Sequence, residues 1–356
     1  MQYLQDIEKF VKGKAVFCGI DVHLHSWDLC FHCDGEVIER LKIPGNYPSL
    51  EAQLKEYHAI SSSVHTVYEA GFTGFSLYRN LRASGYHCIV TPPNRIPDTG
   101  GKIKTDRRDA EKLSIYLAAG LLKTVHVPPA DVEADRRIIR QRANTVGKMT
   151  RLKNQIKSFL YLHGIQIPVD TGRSWSKAFL FWLKNIEFSY TNDRFYLDQL
   201  LDEYYFMREH LIRQTQYLRE LSRSSKYKEQ FQCLLACRGV GLITAMTFLL
   251  EIFDFRRFAD DSKFSAYLGL TPGQNSSGEH VRLGHITREG NTAVRSALVK
   301  SAWTVIRHDP HLRDKYDRIK NRGTNGKKAI VAVARSLAIR LRRCLLDGVA
   351  YDLSVA

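Results

Sequence analysis

Two apolar runs in the first seventy residues each stop on an acid. Lys14–Val22 (KAVFCGIDV) reads as a buried strand closing on Asp21, and Val64–Glu69 (VHTVYE) reads as another closing on Glu69. Between them, Trp27–Cys33 and Glu36–Ile43 alternate as strands across a turn at Asp34-Gly35, a pair suited to a two-residue hairpin. Pro48–His58 and Phe75–Ala83 read as helices, and His87–Thr91 as a fifth strand. Acids that end neighbouring strands converge on one edge of a sheet.

An antiparallel hairpin followed by strand, helix and strand suits an α/β domain of the ribonuclease H type. The rest of the chain reads as helical. Thr105 is a fair N-cap for a helix running to about Leu122. Asp131–His163 is a long helix with apolar residues at Ile139, Ala143, Val146, Met149, Leu152, Ile156 and Phe159. In Phe195–Ser222, Leu197, Tyr204, Leu211 and Leu218 recur every seven residues. Such a pair reads as a coiled coil, either closed within one chain or also used for self-association. The expected architecture is α/β plus α. An N-terminal domain spans 1–128, a coiled-coil linker and oligomerisation region 129–230, and a mainly helical C-terminal domain 231–356.

The charge narrows the partners. The net charge of +16 is concentrated rather than spread. Lys102–Lys157 carries 14 Lys/Arg against 6 Asp/Glu, and Arg313–Arg343 carries 11 against 2. Concentrated positive charge favours a polyanion such as nucleic acid, because phosphate contact releases counterions. No run approaches the roughly 18 apolar residues of a membrane span. The first residues lack the apolar stretch of a secretory signal, so a cytoplasmic, nucleoid-associated protein with no membrane partner is expected. The seven cysteines are an odd number in a large chain and read as buried thiols rather than disulfides or a zinc site, despite the Cys30-Phe31-His32-Cys33 spacing.

Asp106 and Asp109 stand three apart at a helix start, which puts them on one face with Cβ atoms about 5–6 Å apart. Added to Asp21 and Glu69, they make a set of like charges that repel unless a cation sits among them. Hard oxygen ligands favour Mg²⁺ or Mn²⁺. Two such ions about 3.5–4 Å apart can clamp the attacking and leaving oxygens of a phosphodiester exchange. Lys102, Lys104, Arg107 and Arg108 surround Asp106 and would hold DNA beside an otherwise repellent acidic pocket.

Near the C-terminus, ACRGVGLITAMTFLL gives a helix, a Gly-Val-Gly turn and a second helix, a helix-hairpin-helix signature. Gly239 and Gly241 would present backbone N–H groups to a phosphate without reading bases. Beyond Thr271-Pro272-Gly273 lies a polar loop with Ser276-Ser277-Gly278, followed by Arg282 and Arg288. A serine among arginines can attack phosphorus if its alkoxide is stabilised, although a Ser-Ser-Gly loop is more often only a turn.

The motifs GIDVH, YEAGFTG, KTDRRDAEKL, RGVGLITAMTFL, FSAYLGLTPGQNSSGEHVRLGHITREGN and VRSALVKSAW occur here in order along nearly the whole chain. In this order and spacing the sequence resembles the DEDD insertion-sequence transposases related to Piv/MooV DNA invertases, a family understood as RNA-guided bridge recombinases. The resemblance implies a ribonuclease H/RuvC-like domain holding Mg²⁺ on Asp21, Glu69, Asp106 and Asp109. It implies a coiled-coil linker used in oligomerisation and a C-terminal transposase domain whose loop serine attacks DNA. That serine precedes a glycine in the family, so the role carries to Ser277, with Ser276 the adjacent alternative. Arg282 and Arg288 are candidates to grip phosphate. The implied partners are donor and target DNA, a guide (bridge) non-coding RNA and further copies of the chain, as a dimer or tetramer. The alternative is a metal-dependent, structure-selective DNA nuclease of the junction-resolvase kind, which shares the acids and needs no serine.

Overall fold

The computed structural model describes residues 2–96, 106–171, 175–274, 283–287, 289–323 and 325–352. They form two compact units, Met1–Val127 and Pro128–Ala356.

The first unit is a mixed α/β sheet. Its elements are α1 (Gln2–Val11), β1 (Ala15–Val22), β2 (Ser26–Cys33), β3 (Glu36–Pro44), α2 (Tyr47–Ile60), β4 (Ser63–Glu69), α3 (Ser76–Ala83), β5 (His87–Thr91) and α4 (Asp106–Ala118). The strand order is β3-β2-β1-β4-β5. β2 pairs antiparallel with both β1 and β3, whereas β4 runs parallel to β1 and to β5. The hairpin turn takes positive φ at both Asp34 and Gly35, the twist that two-residue connections require. Helix α2 starts where Asn46 accepts the Ser49 amide at 3.0 Å.

The two faces of this sheet differ in chemistry. Val16, Cys18 and Ile20 of β1, Leu29 and Phe31 of β2, and Val64 and Tyr68 of β4 share one face and form the core with α2 and α3. The residues between them point to the opposite face, as a two-residue period demands. Helix α4 covers that face. It lies so close that a Cβ on Gly19 would stand 2.0 Å from the Ala110 carbonyl oxygen and 2.6 Å from the Ser114 nitrogen. Arg40 of β3 fastens the helix from the side, its Nη2 lying 3.0 Å from Glu111 Oε2. The helix stops at Ala118 rather than near Leu122, because Gly120 takes the left-handed conformation that ends helices.

The second unit is mostly helical: α5 (Ala130–Leu162), α6 (Lys177–Lys184), α7 (Thr191–Arg223), α8 (Lys228–Leu235), α9 (Leu242–Ile252), α10 (Asp261–Tyr267), the short strands β6 (Pro272–Gln274) and β7 (Leu283–Ile286), α11 (Thr292–Val305), α12 (Pro310–Asn321) and α13 (Gly326–Asp347). The long helices α5 and α7 pack antiparallel. Arg142 donates to Thr215 and Gln155 to Tyr196, so rising numbers on one meet falling numbers on the other. The even apolar stripe expected along α5 is broken. Met149, Leu152, Ile156 and Phe159 pack with Leu197, Leu200 and Tyr204, and Ile139 joins a separate core built around α9, α11 and α13. Between those two cores Ala143 and Val146 are exposed, and Thr145 is the buried residue.

All seven cysteines are free thiols, six of them buried. No helix among the described residues is long and apolar enough to cross a membrane.

Candidate active site

Residues on the α4-covered face line up across the sheet. Lys42 pairs with Asp28 between β3 and β2, and Asp28 pairs with Asp21 between β2 and β1. Ile20 pairs with Tyr68 between β1 and β4, so one further step sets Asp21 beside Glu69. Glu69 pairs with Thr91 between β4 and β5. One row therefore reads Lys42, Asp28, Asp21, Glu69, Thr91 over all five strands. Directly opposed like charges in a sheet are destabilising by themselves.

Several contacts fix the strand ends. His23 Nε2 lies 3.1 Å from Asp21 Oδ2. Trp27 Nε1 donates to the His23 carbonyl at 3.1 Å and holds the β1–β2 turn shut. Next to Glu69, the Tyr68 hydroxyl donates to the Gly74 carbonyl at 2.9 Å and accepts the Tyr78 amide. Burial pushes that phenol well above its usual range, so it stays a donor. The Ala70 amide donates to the Thr91 carbonyl at 2.8 Å, which carries the β4–β5 pairing past Glu69.

Helix α4 brings the remaining acids. Asp109 immediately precedes Ala110, whose carbonyl lies over Gly19, and Gly19 is two residues from Asp21 on the same face. Asp21 and Glu69 thus stand at neighbouring strand positions, and Asp109 lies on the helix packed against that face of the sheet. Asp106 opens α4; its side chain and that of Arg107 lie outside the described residues, as do Lys102 and Lys104 altogether. Among the described residues, which leave out the Asp106 side chain, no group of three or more His, Cys, Asp or Glu stands close enough to hold a metal ion. Arg108 is exposed beside Asp109.

The row also contains residues that the motifs did not single out. Asp28 is buried, and its Oδ2 has no hydrogen-bond partner among the described residues. Thr91 is fully buried, and its Oγ1 likewise has none. The signal for Asp28 was present in the sequence: an acid within the apolar run WDLCFHC, seven residues after Asp21 across a short turn.

In the second unit, Gly241 forms the exposed N-cap of α9 with open space around its Cα. Gly239 takes φ +113, and a Cβ there would meet Val305 Cγ2 at 2.9 Å, so its glycine has a packing cause. Strands β6 and β7 pair antiparallel, Pro272 with Ile286 and Gln274 with Leu283, on either side of residues 275–282. Ser276, Ser277, Arg282 and Arg288 lie outside the described residues.

Comparison with known proteins identifies the chain. Residues 18–164 match the DEDD transposase family of the IS110 type, a span that includes all four acids. Residues 231–317 match the transposase IS116/IS110/IS902 family. The protein y4qE of Sinorhizobium fredii, whose name describes it as a transposase candidate, is 34% identical over 280 residues, covering 78% of this chain and 68% of its own. The chain belongs to the IS110/IS116 transposase family. Two further relatives are transposases of insertion sequence elements. That of IS1533 from Leptospira borgpetersenii is 29% identical over 68% of this chain and 71% of its own. That of IS1111A from Coxiella burnetii is 25% identical over 73% and 72%. The protein is accordingly a DNA transposase of an insertion sequence, and its concentrated positive charge suits that substrate.

Proposed function

We propose that this transposase cuts and rejoins DNA strands with two sets of groups, a divalent-cation centre on Asp21, Glu69, Asp106 and Asp109 and a serine nucleophile at Ser277. The observation that supports the first is the docking of α4 on bare Gly19, where the Ala110 carbonyl, one residue after Asp109, lies against the strand that carries Asp21. The strand order supports a ribonuclease H/RuvC-like reading of the domain. The donor set is all oxygen, and two orphaned buried oxygens flank it in the same row, which fits a hard cation such as Mg²⁺ or Mn²⁺. A bound cation there supplies charge stabilisation for the attacking and leaving oxygens of phosphodiester exchange.

Ser277 Oγ would attack phosphorus, forming one P–O bond as one bridging P–O bond of the DNA breaks. A DNA hydroxyl later reverses the exchange, so bond energy is conserved in the linkage. Arg282 and Arg288, with Lys102, Lys104, Arg107 and Arg108, are placed by this reading on phosphates, and the Gly239–Gly241 helix-hairpin-helix turn on the backbone of the duplex. Base choice is assigned to a guide non-coding RNA of the element, in line with the resemblance to bridge recombinases and Piv/MooV invertases. Self-association is assigned to the α5–α7 pair. Phe195, Phe206 and Tyr217 are exposed and recur every eleven residues, which is close to three helical turns and so one outer stripe on α7.

A denaturing gel tests the chemistry. Protein incubated with DNA carrying the element's ends, its guide RNA and Mg²⁺ should give a covalent protein–DNA adduct. Ser277→Ala should lose both adduct and strand transfer, Ser276→Ala should keep both, and Asp109→Asn should lose roughly 100-fold or more of each. Cleavage by Ser277→Ala at the wild-type rate would replace this reading with the structure-selective nuclease.

A further inference from the structure

Asp28 lies outside the four-acid set, yet it occupies the same row. It is 3% exposed, as deep as core residues of its strand. Its nearest cation is Lys42, whose Nζ stands 3.6 Å from Oδ2, beyond hydrogen-bond reach and itself largely in solvent. The same Oδ2 is buried and accepts no hydrogen bond among the described residues. A carboxylate withdrawn from water without matching donors loses hydration with little return, and sheets normally fill such positions with apolar side chains. Here the alternation of β2 points Asp28 to the polar face, directly across from Asp21. Opposed residues of antiparallel strands have Cβ atoms about 4.5–5.5 Å apart, a separation at which two carboxylates can share one ion. At the far end of the row, Thr91 Oγ1 is a second buried oxygen without a hydrogen-bond partner among the described residues, beside Glu69. The orphaned oxygens therefore bracket the Asp21–Glu69 pair. A divalent cation at Asp21 would answer the one on Asp28, its direct cross-strand neighbour; Thr91 lies three strands from Asp28, too far to share that ion.

We infer that Asp28 is a fifth carboxylate of the cation centre, sharing a divalent ion with Asp21, while Lys42 screens its outer side. This rests on the reading of Asp21, Glu69 and Asp109 as cation ligands. Asp28 supplies negative charge and one oxygen to the ion. The centre would then hold its ion more tightly than the four acids alone.

Mn²⁺ titration of the full-length protein, read from the electron paramagnetic resonance signal of the free ion, tests this without reference to activity. Asp21→Asn should abolish the site. Asp28→Asn should weaken Mn²⁺ binding by about 10–100-fold while the protein keeps its circular dichroism spectrum. Lys42→Met should bind Mn²⁺ at least as tightly as wild type, because it removes a competing positive charge. If Asp28→Asn fails to fold, Asp28→Ser, which is smaller and neutral, takes its place. Wild-type Mn²⁺ affinity in the Asp28 variant, with binding lost in Asp21→Asn, would overturn the inference and leave the four-acid reading intact. Unchanged affinity in both would bring down the four-acid reading itself. A tenfold loss in Lys42→Met would trace the effect to the β2–β3 pairing and also overturn the inference.

Discussion

Glu251 and Asp28 are equally buried, each 3% exposed, and they differ in what their surroundings leave unanswered. Glu251, near the end of α9, accepts Arg140 Nε at 2.7 Å, Arg140 Nη2 at 2.8 Å and Asn291 Nδ2 at 2.9 Å. Arg136 Nε stands 3.9 Å away. Those partners come from α5 and from the N-cap of α11, so one carboxylate ties three helices together. Asp28 has a single loose ion pair and an oxygen with nothing to bind among the described residues. A buried charge matched on every side serves the architecture. One matched on half its sides points to a ligand that the chain does not itself contain.

The contrast is broken first at Glu251. Glu251→Ala would strand the Arg140 and Arg136 charges and should cost about 3–5 kcal/mol, measured by urea denaturation followed by circular dichroism. A loss below about 1 kcal/mol would erase the distinction between the two acids. The effect should also depend on pH. Burial pushes the Glu251 carboxyl up, but the hydrogen bonds and charge of Arg140, with Asn291 and Arg136, outweigh it and hold the group below the usual value of 4.5. Its folded pKa is depressed, so its contribution is complete above about pH 4.5 and fades as pH falls through the lowered value. The stability gap between wild type and Glu251→Gln should therefore narrow in acid, and a gap that is constant from pH 7 to pH 3 would contradict this account. Asn291→Ala is the intermediate case. It removes a hydrogen bond to a charged group and the cap on the Val294 amide, and should cost about 1–3 kcal/mol. The smallest effect belongs to Asp28→Asn. In metal-free protein it relieves like-charge crowding and should leave stability unchanged or raise it by about 1 kcal/mol. A marked loss would place Asp28 with Glu251 as a structural acid.

Much of the first unit was legible because its period is two and its turns are short. Strand runs ending at Asp21 and Glu69 matched the sheet within a residue or so. Parallel pairing of β1 and β4 then follows from the intervening helix α2. Asp28 went unread as part of the site because strand register, not strand identity, puts it opposite Asp21. Register depends on how the turn at His23–His25 closes, and that closure is made by contacts such as Trp27 to His23. Gly19 was invisible for a similar reason, since the motif GIDVH says nothing of the helix that lies on it. The second unit was legible as helices but not as cores. A 3–4 spacing of apolar residues fixes which side of a helix is apolar, not which neighbour takes each turn, and so the α5 stripe divides between two cores.

The absence of a side chain at Gly19 has a consequence for how this centre can change. The gap between α4 and the sheet is set by main-chain atoms in direct apposition, which have no rotamers to adjust. Substitutions elsewhere can alter which groups line the cleft, but none can shift its width by small degrees. Natural variation should therefore keep the spacing fixed and explore only what is hung on either side of it, much as a gauge fixes a railway while the rolling stock varies.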